Sequence, residues 1–135
     1  MTNQKPAATI LLQQNYPSLK ILQAPKKKVL QKLAVTLNDE IRFIAFDDIL
    51  YCMSTNNYTT IFLRSGISHL CCKTLKGIES KLPTDAFVRI HHSYLVNIHC
   101  ITALKRQSSE LELDNKLLLP ISRTQKTALY ELLGL

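Results

Sequence analysis

Glycine is scarce in this chain: Gly66, Gly77 and Gly134 are the only three in 135 residues. The phosphate-cradling loops G-x-x-x-x-G-K and G-x-G-x-x-G are therefore absent, as is the G-x-S-x-G turn that presents a nucleophilic serine. No cysteine pair has C-x-x-C spacing. Cys52, Cys71, Cys72 and Cys100 read as reduced thiols rather than a disulfide framework. Adjacent Cys71 and Cys72 point to opposite faces of a strand, so one of them is expected at the surface and open to oxidation. H-E-x-x-H is missing too. His69, His91, His92 and His99 lack the two-by-two spacing of a structural zinc site, and neighbours such as His91 and His92 face opposite ways on a strand. Asp47 and Asp48 suit the first turn of a helix better than a catalytic pair. Neither an enzyme nor a cofactor is expected.

Long apolar runs are also lacking. Nothing approaches the ~20 residues of a membrane span, and ATILL at 8–12 is too short for a signal peptide. A cytoplasmic protein without a membrane partner is the expectation. Finally, acid is lacking in one region. Residues 1–31 hold Lys5, Lys20, Lys26, Lys27 and Lys28 and no carboxylate, so they carry +5 of the total +7 and leave +2 for the rest. A basic balance suits a polyanion, but the folded part must present its cations by placement rather than by bulk charge.

What is there divides at about residue 30. Residues 1–30, with three prolines and the lysine run, read as a basic tail or linker; TILLQQ and LKIL within them stay open between strand and helical turn. From residue 31 short apolar runs alternate with turn residues. With 46% hydrophobic residues the chain has enough apolar material for one core. KLAVTL (32–37), IRFIAF (41–46), YCMS (51–54), YTTIFL (58–63), ISHLCC (67–72), FVRI (87–90), SYLVNI (93–98) and CITALKR (100–106) read as strands, and LELDNKLLLP (111–120) as a hairpin turning at Asp114-Asn115. NDE (38–40) reads as a turn and DDIL (47–50) as one helical turn. Thr74 caps a helix over 75–82 that stops at Pro83, and Ser122 caps another over 123–133 with Ala128, Leu129, Leu132 and Leu133 on its apolar side. The fold class is mainly β with short helices.

Three polar patches stand at strand ends: STNNY (54–58), RIHHS (89–93) and PISRTQK (120–126). Amides, a phenol, guanidiniums, imidazoles and hydroxyls are the groups that read base edges and hold phosphates. Each patch also has an ordinary structural reading. Tyr58 can be a packed strand aromatic, His92 a plain loop residue, and Arg123 the ion-pair partner of Glu79 or Glu131.

Taken in order, FIAFDDILYCMSTNNYTTIFL, LKGIESKLP, FVRIHHSYLVNI and LPISRTQK resemble the motifs of the LytTR family of bacterial DNA-binding domains, over about residues 31–133. The resemblance implies an elongated, multi-layer β fold with short flanking helices, and strand-end loops that enter successive major grooves. It implies a transcription regulator, or the output domain of a two-component response regulator. The partner would be double-stranded DNA, in paired direct repeats, bound by a homodimer, with a receiver domain or sensor kinase outside these residues as the input. Carried over by motif, the base readers are Tyr58, His92 and Arg123. Asn56, Asn57, Ser93, Ser122 and Lys126 hold phosphates or neighbouring groups. Ile44, Ile49, Leu50, Phe62, Leu75, Ile78, Phe87, Ile90, Leu95 and Val96 form the core. His92 departs from the arginine or lysine of many relatives. An imidazole titrates near pH 6.5, so DNA binding is expected to tighten at lower pH. The reading from another class is a protein–protein module on the same fold that has lost DNA.

Overall fold

Alternation of apolar and polar residues builds the first element. Leu33 and Val35 turn inward from β1 (Lys32–Leu37). Asn38, at φ 57, makes a left-handed turn that asparagine tolerates better than most residues. β2 (Glu40–Ala45) returns antiparallel with Ile44 opposite Leu33. A computed structural model describes residues 31–135, so the expected basic tail and its two apolar runs lie outside the described residues.

The helical turn expected over DDIL is displaced. Only Phe46–Asp48 winds into a 3-10 turn. Ile49 and Leu50 begin β3 (Ile49–Thr55), where both are buried, because a sheet interior hides an apolar pair better than one exposed turn does. Asn56, again at positive φ, turns the chain into β4 (Tyr58–Leu63), and β5 (Ser68–Cys71) follows. Thr74 caps α1 (Leu75–Glu79), its Oγ1 accepting from the Gly77 N–H at 3.1 Å. α1 is shorter than the expected 75–82. Its tail tightens into three-residue hydrogen bonds, Lys81 N–H to Ile78 O and Leu82 N–H to Glu79 O, which still bury Leu82. β6 (Phe87–His91) and β7 (Tyr94–Asn97) form a hairpin, and a 3-10 turn at Ile98–Cys100 leads into β8 (Ile101–Lys105), β9 (Glu110–Leu113) and β10 (Leu118–Pro120). The last hairpin turns over four residues, Asp114 to Leu117, rather than two. α2 (Arg123–Leu132) follows.

The described residues make three antiparallel sheets: β1-β2, β5-β4-β3-β7-β6 and β10-β9-β8. Side-chain alternation divides the five-stranded sheet into two apolar faces. Cys52, Ile61, Phe87 and Leu95 face the β1–β2 hairpin and α1, whereas Tyr51, Ile90 and Val96 face the smaller sheet and α2. Two bulges, at Leu50 and Ile90, each insert one extra residue into the ladder, and both send it into the second cluster. Of the expected core, only Phe62 is not fully buried; its ring stacks on Tyr51 with centroids 4.5 Å apart.

The apolar side expected for α2 needs correction. Ala128 and Leu132 are exposed, and the buried stripe is Leu129 with Tyr130 and Leu133. That stripe keeps the four-residue helical spacing, and it begins at half-buried Gln125 and Lys126. No described helix is long and apolar enough to cross a membrane.

Candidate nucleic-acid interface

Antiparallel register decides where the three polar patches lie. β7 pairs with β3 so that Tyr94 stands opposite Met53. The ladder continues one step beyond the strands, where the Ser54 N–H donates to Ser93 O at 2.9 Å. The turns at Asn56-Asn57 and His92-Ser93 therefore leave the same end of the sheet. The third patch joins them from the other layer. The Ser122 N–H donates to Ile90 O at 2.8 Å, and the Ile121 N–H to Ser109 O at 2.9 Å. The start of α2 thus sits beside His91 and beside the turn after β8. All eight residues nominated from the sequence lie in these three connected segments.

In the first segment Asn56, Asn57 and Tyr58 are exposed. Alternation along β4 sets Tyr58 on the face it shares with Phe62, the face that α2 covers further along. The Tyr58 ring is 45% exposed at the strand's first position, so it is not packed away.

In the second segment His91 Nδ1 accepts the Ser93 N–H at 3.1 Å, so the ring braces the turn. The neutral ring then carries its proton on Nε2. Burial, then His92, then the Arg89 guanidinium hold His91 below the usual histidine range, because each disfavours the imidazolium. The His92 ring leans on His91, with centroids 4.2 Å apart, and is exposed. Ser93 is half-buried; its N–H is engaged by His91 within the turn and its carbonyl by the Ser54 N–H of β3. Arg89, whose guanidinium counts among the polar groups of this patch, faces the protein instead: it donates to His91 O, His92 O and Glu79.

In the third segment Ser122 has the extended backbone of an N-cap, but its Oγ lies 3.3 Å from Thr124 Oγ1 and accepts from no helix amide. The expected side-chain cap is therefore not made. Arg123 is exposed and forms no ion pair among the described residues; Glu79 is taken by Arg89, and Glu131 pairs with nothing there. Lys126 is half-buried, its Nζ 3.4 Å from Ser109 Oγ and 5.8 Å from the Tyr130 ring centroid.

Two cations escape the sequence reading. Opposite Thr59, Cys71 ends β5 at the same end of the sheet, and a Thr59 Oγ1 hydrogen bond to Lys73 O at 2.7 Å fixes exposed Lys73 there. Arg106, in the turn after β8, stands over Tyr130 at 5.5 Å. Neither lies in a motif; only the register and the packing of the smaller sheet reveal them. The loop end gathers Lys73, Arg89, Lys105, Arg106, Arg123 and Lys126; Glu79 pairs with Arg89 and Glu112 with Lys105, Glu110 ends the neighbouring strand, and Asp39 and Glu40 follow Asn38 in the turn that borders Lys73. The opposite end holds Asp47, Asp48, Asp85 and Asp114 against Arg64, Lys116 and Lys32, with Arg64 paired to Asp114 at 3.0 Å.

The thiols lie apart from this surface chemistry, with one exception. Burial pushes Cys52 up to about 12 and Cys100 up to about 11, which keeps both protonated. Of the vicinal pair, Cys71 is buried and Cys72 is exposed, so the expected split between faces is what forms. No group of three or more potential metal-binding side chains occurs among the described residues.

Residues 39–134 match the model of the LytTr DNA-binding domain family. The chain is 29% identical over 110 residues to the CO-responsive transcriptional regulator RcoM of Rhodospirillum rubrum, covering 78% of this chain and 46% of that protein. It is 28% identical over 109 residues to the sensory transduction protein LytT of Bacillus cereus, covering 77% of this chain and 43% of the relative. The chain thus spans less than half the length of these curated relatives. In fold it is similar to the LytTr DNA-binding domain of a Bacillus cereus response regulator, with a TM-score of 0.69 at 24% identity, over 79% of this chain and 100% of that domain.

Proposed function

The chain belongs to the LytTr DNA-binding domain family, and from that premise we propose that it binds double-stranded DNA sequence-specifically, through the three turns at one end of its central sheet, as the output domain of a transcription regulator. Tyr58, His92 and Arg123 read base edges in the major groove. Asn56, Asn57, Ser93, Ser122 and Lys126 hold phosphates or neighbouring groups, and Lys73 and Arg106 add to the phosphate attraction. Paired direct repeats bound by two copies are the expected arrangement, with the input signal supplied by a receiver domain or sensor kinase.

One observation carries this reading most. Two backbone hydrogen bonds, Ser54 to Ser93 and Ser122 to Ile90, tie three polar segments from distant parts of the sequence into one surface. That surface holds the excess of cations, and it leaves Arg123 without an ion pair among the described residues. A guanidinium exposed beside a helix N-terminus suits a guanine edge or a phosphate.

Selection from a random duplex pool, followed by titration of the enriched site with wild type and Arg123→Ala at about 0.1 M salt, tests it. One good base contact is worth roughly 1–3 kcal/mol, so the variant should bind the site about ten-fold or more weakly while random DNA is nearly unaffected. If no motif is enriched and binding is weak, salt-labile and indifferent to Arg123, the protein–protein reading replaces this one.

A further inference from the structure

We propose that Arg89 is a positioning residue: with Glu79 it clamps the His91–Ser93 turn to α1 and so sets the base selectivity of a surface that it does not itself extend. The proposal deepens the DNA-binding reading above and rests on it.

The geometry is specific. Arg89 Nε donates to His91 O at 2.9 Å, Nη2 donates to His92 O at 2.8 Å, and Nη1 donates to Glu79 Oε1 at 2.8 Å. One guanidinium thus ties two consecutive carbonyls of the turn to a carboxylate on another element. The planar fork of arginine meets both carbonyls together; a lysine ammonium has no such fork. The bulge at Ile90 makes the arrangement possible. Arg89 stands opposite Leu95, on the face where α1 packs, while the extra residue, Ile90, drops wholly buried into the other cluster and offers its carbonyl to Ser122. The bulge therefore fixes the base of the turn to α2, and the clamp fixes its tip to α1. The pair is partly shielded, with the Arg89 side chain 23% exposed. A cation engaged in this way adds little to phosphate neutralisation.

Two conservative variants separate positioning from charge. Arg89→Lys keeps the charge and loses the fork. Glu79→Gln removes an acid close to the DNA surface, so electrostatics alone would tighten binding to any DNA. Affinities for the enriched site and for random duplex are measured against salt for both variants, with the backbone amide resonances of His92 and Ser93 followed in the free proteins. The expected result is a fall of about ten-fold in the ratio of specific to random affinity for each variant, near the lower end of what one misplaced base reader costs. The salt dependence on random DNA stays unchanged, and the two amide resonances move while those of the first segment do not. The double variant loses no more than either single one. An unchanged ratio with a salt slope lower by about one would make Arg89 a phosphate contact and overturn the proposal. Unmoved His92 and Ser93 resonances would overturn it as well. If wild type selects no DNA sequence, the DNA-binding reading fails, and the amide resonances alone then decide whether the clamp exists.

Discussion

The two ends of the five-stranded sheet are built from the same kind of strand but serve different charges. At one end three turns present histidines, amides and a majority of cations. At the other, four aspartates outnumber Arg64, Lys116 and Lys32, and Arg64 is drawn into Asp114 and the Asp47 carbonyl. The folded part has a net charge of only +2, which by itself argues weakly for a nucleic-acid partner. Its distribution argues more strongly. Segregating a small excess gives a local field that the total conceals, which is why the proposed DNA surface is placed at the end with more cations.

The largest effect expected from breaking this comparison is structural. α2 delivers Arg123 to the cationic end, and Leu129 is its wholly buried seat. Leu129→Ala should lower the unfolding free energy by about 2–5 kcal/mol in urea titrations, from lost burial and the cavity left behind. A loss below about 1 kcal/mol would mean that the helix is held otherwise. Next is a matched pair. Arg64→Ala, at the acidic end, should leave affinity for the enriched site within two-fold of wild type, whereas Arg123→Ala should show the loss given above. Equal losses would show that net charge, not placement, governs binding. Arg64→Ala should cost at most ~1 kcal/mol of stability, because the Asp114 pair is solvent-exposed. Smaller again is Lys73→Ala. It should weaken binding to all sequences alike and lower the salt slope by about one; a sequence-dependent loss would instead make Lys73 a reader.

The smallest effect concerns pH. The His91 pKa is lower folded than unfolded, by burial first and then by His92 and Arg89. The folded state therefore binds the proton less readily. The associated stability is present above the unfolded value of about 6.5 and is lost as pH falls through the folded value. Protonation also removes the acceptor at Nδ1 that holds the Ser93 N–H. Thermal unfolding at pH 7.5 and 5.5 should show a slightly smaller drop in melting temperature for His91→Asn than for wild type. An equal or larger drop in the variant would show that His91 does not contribute.

Much of this fold is legible in the sequence because period-2 alternation and asparagine turns are local signals. The strands around Asn38 and Asn56 fall where KLAVTL, IRFIAF, YCMS and YTTIFL place them, to within a few residues. The errors occur where a distant partner decides. Ile49 and Leu50 leave a helical turn because the sheet buries them. Ala128 and Leu132 face out because β6 touches a different stripe of α2. Arg89 reads as a surface cation because nothing local announces a bulge at Ile90 or a carboxylate ten residues upstream. The candidate surface divides in the same way. The motifs nominate its residues, but that they lie together at one end follows from register, and the cations Lys73 and Arg106 follow from packing.

The hydrogen bonds that secure the second turn reach main-chain groups: the carbonyls of Ile90, His91, His92 and Ser93, and the amide of Ser93. None involves the His92 side chain. The turn is thus a socket whose fixings are independent of what is plugged into it. If position 92 reads bases as proposed, exchanging it would cost the turn its ring contact with His91 but none of these hydrogen bonds, so the target site could be retuned one side chain at a time on an unchanged backbone.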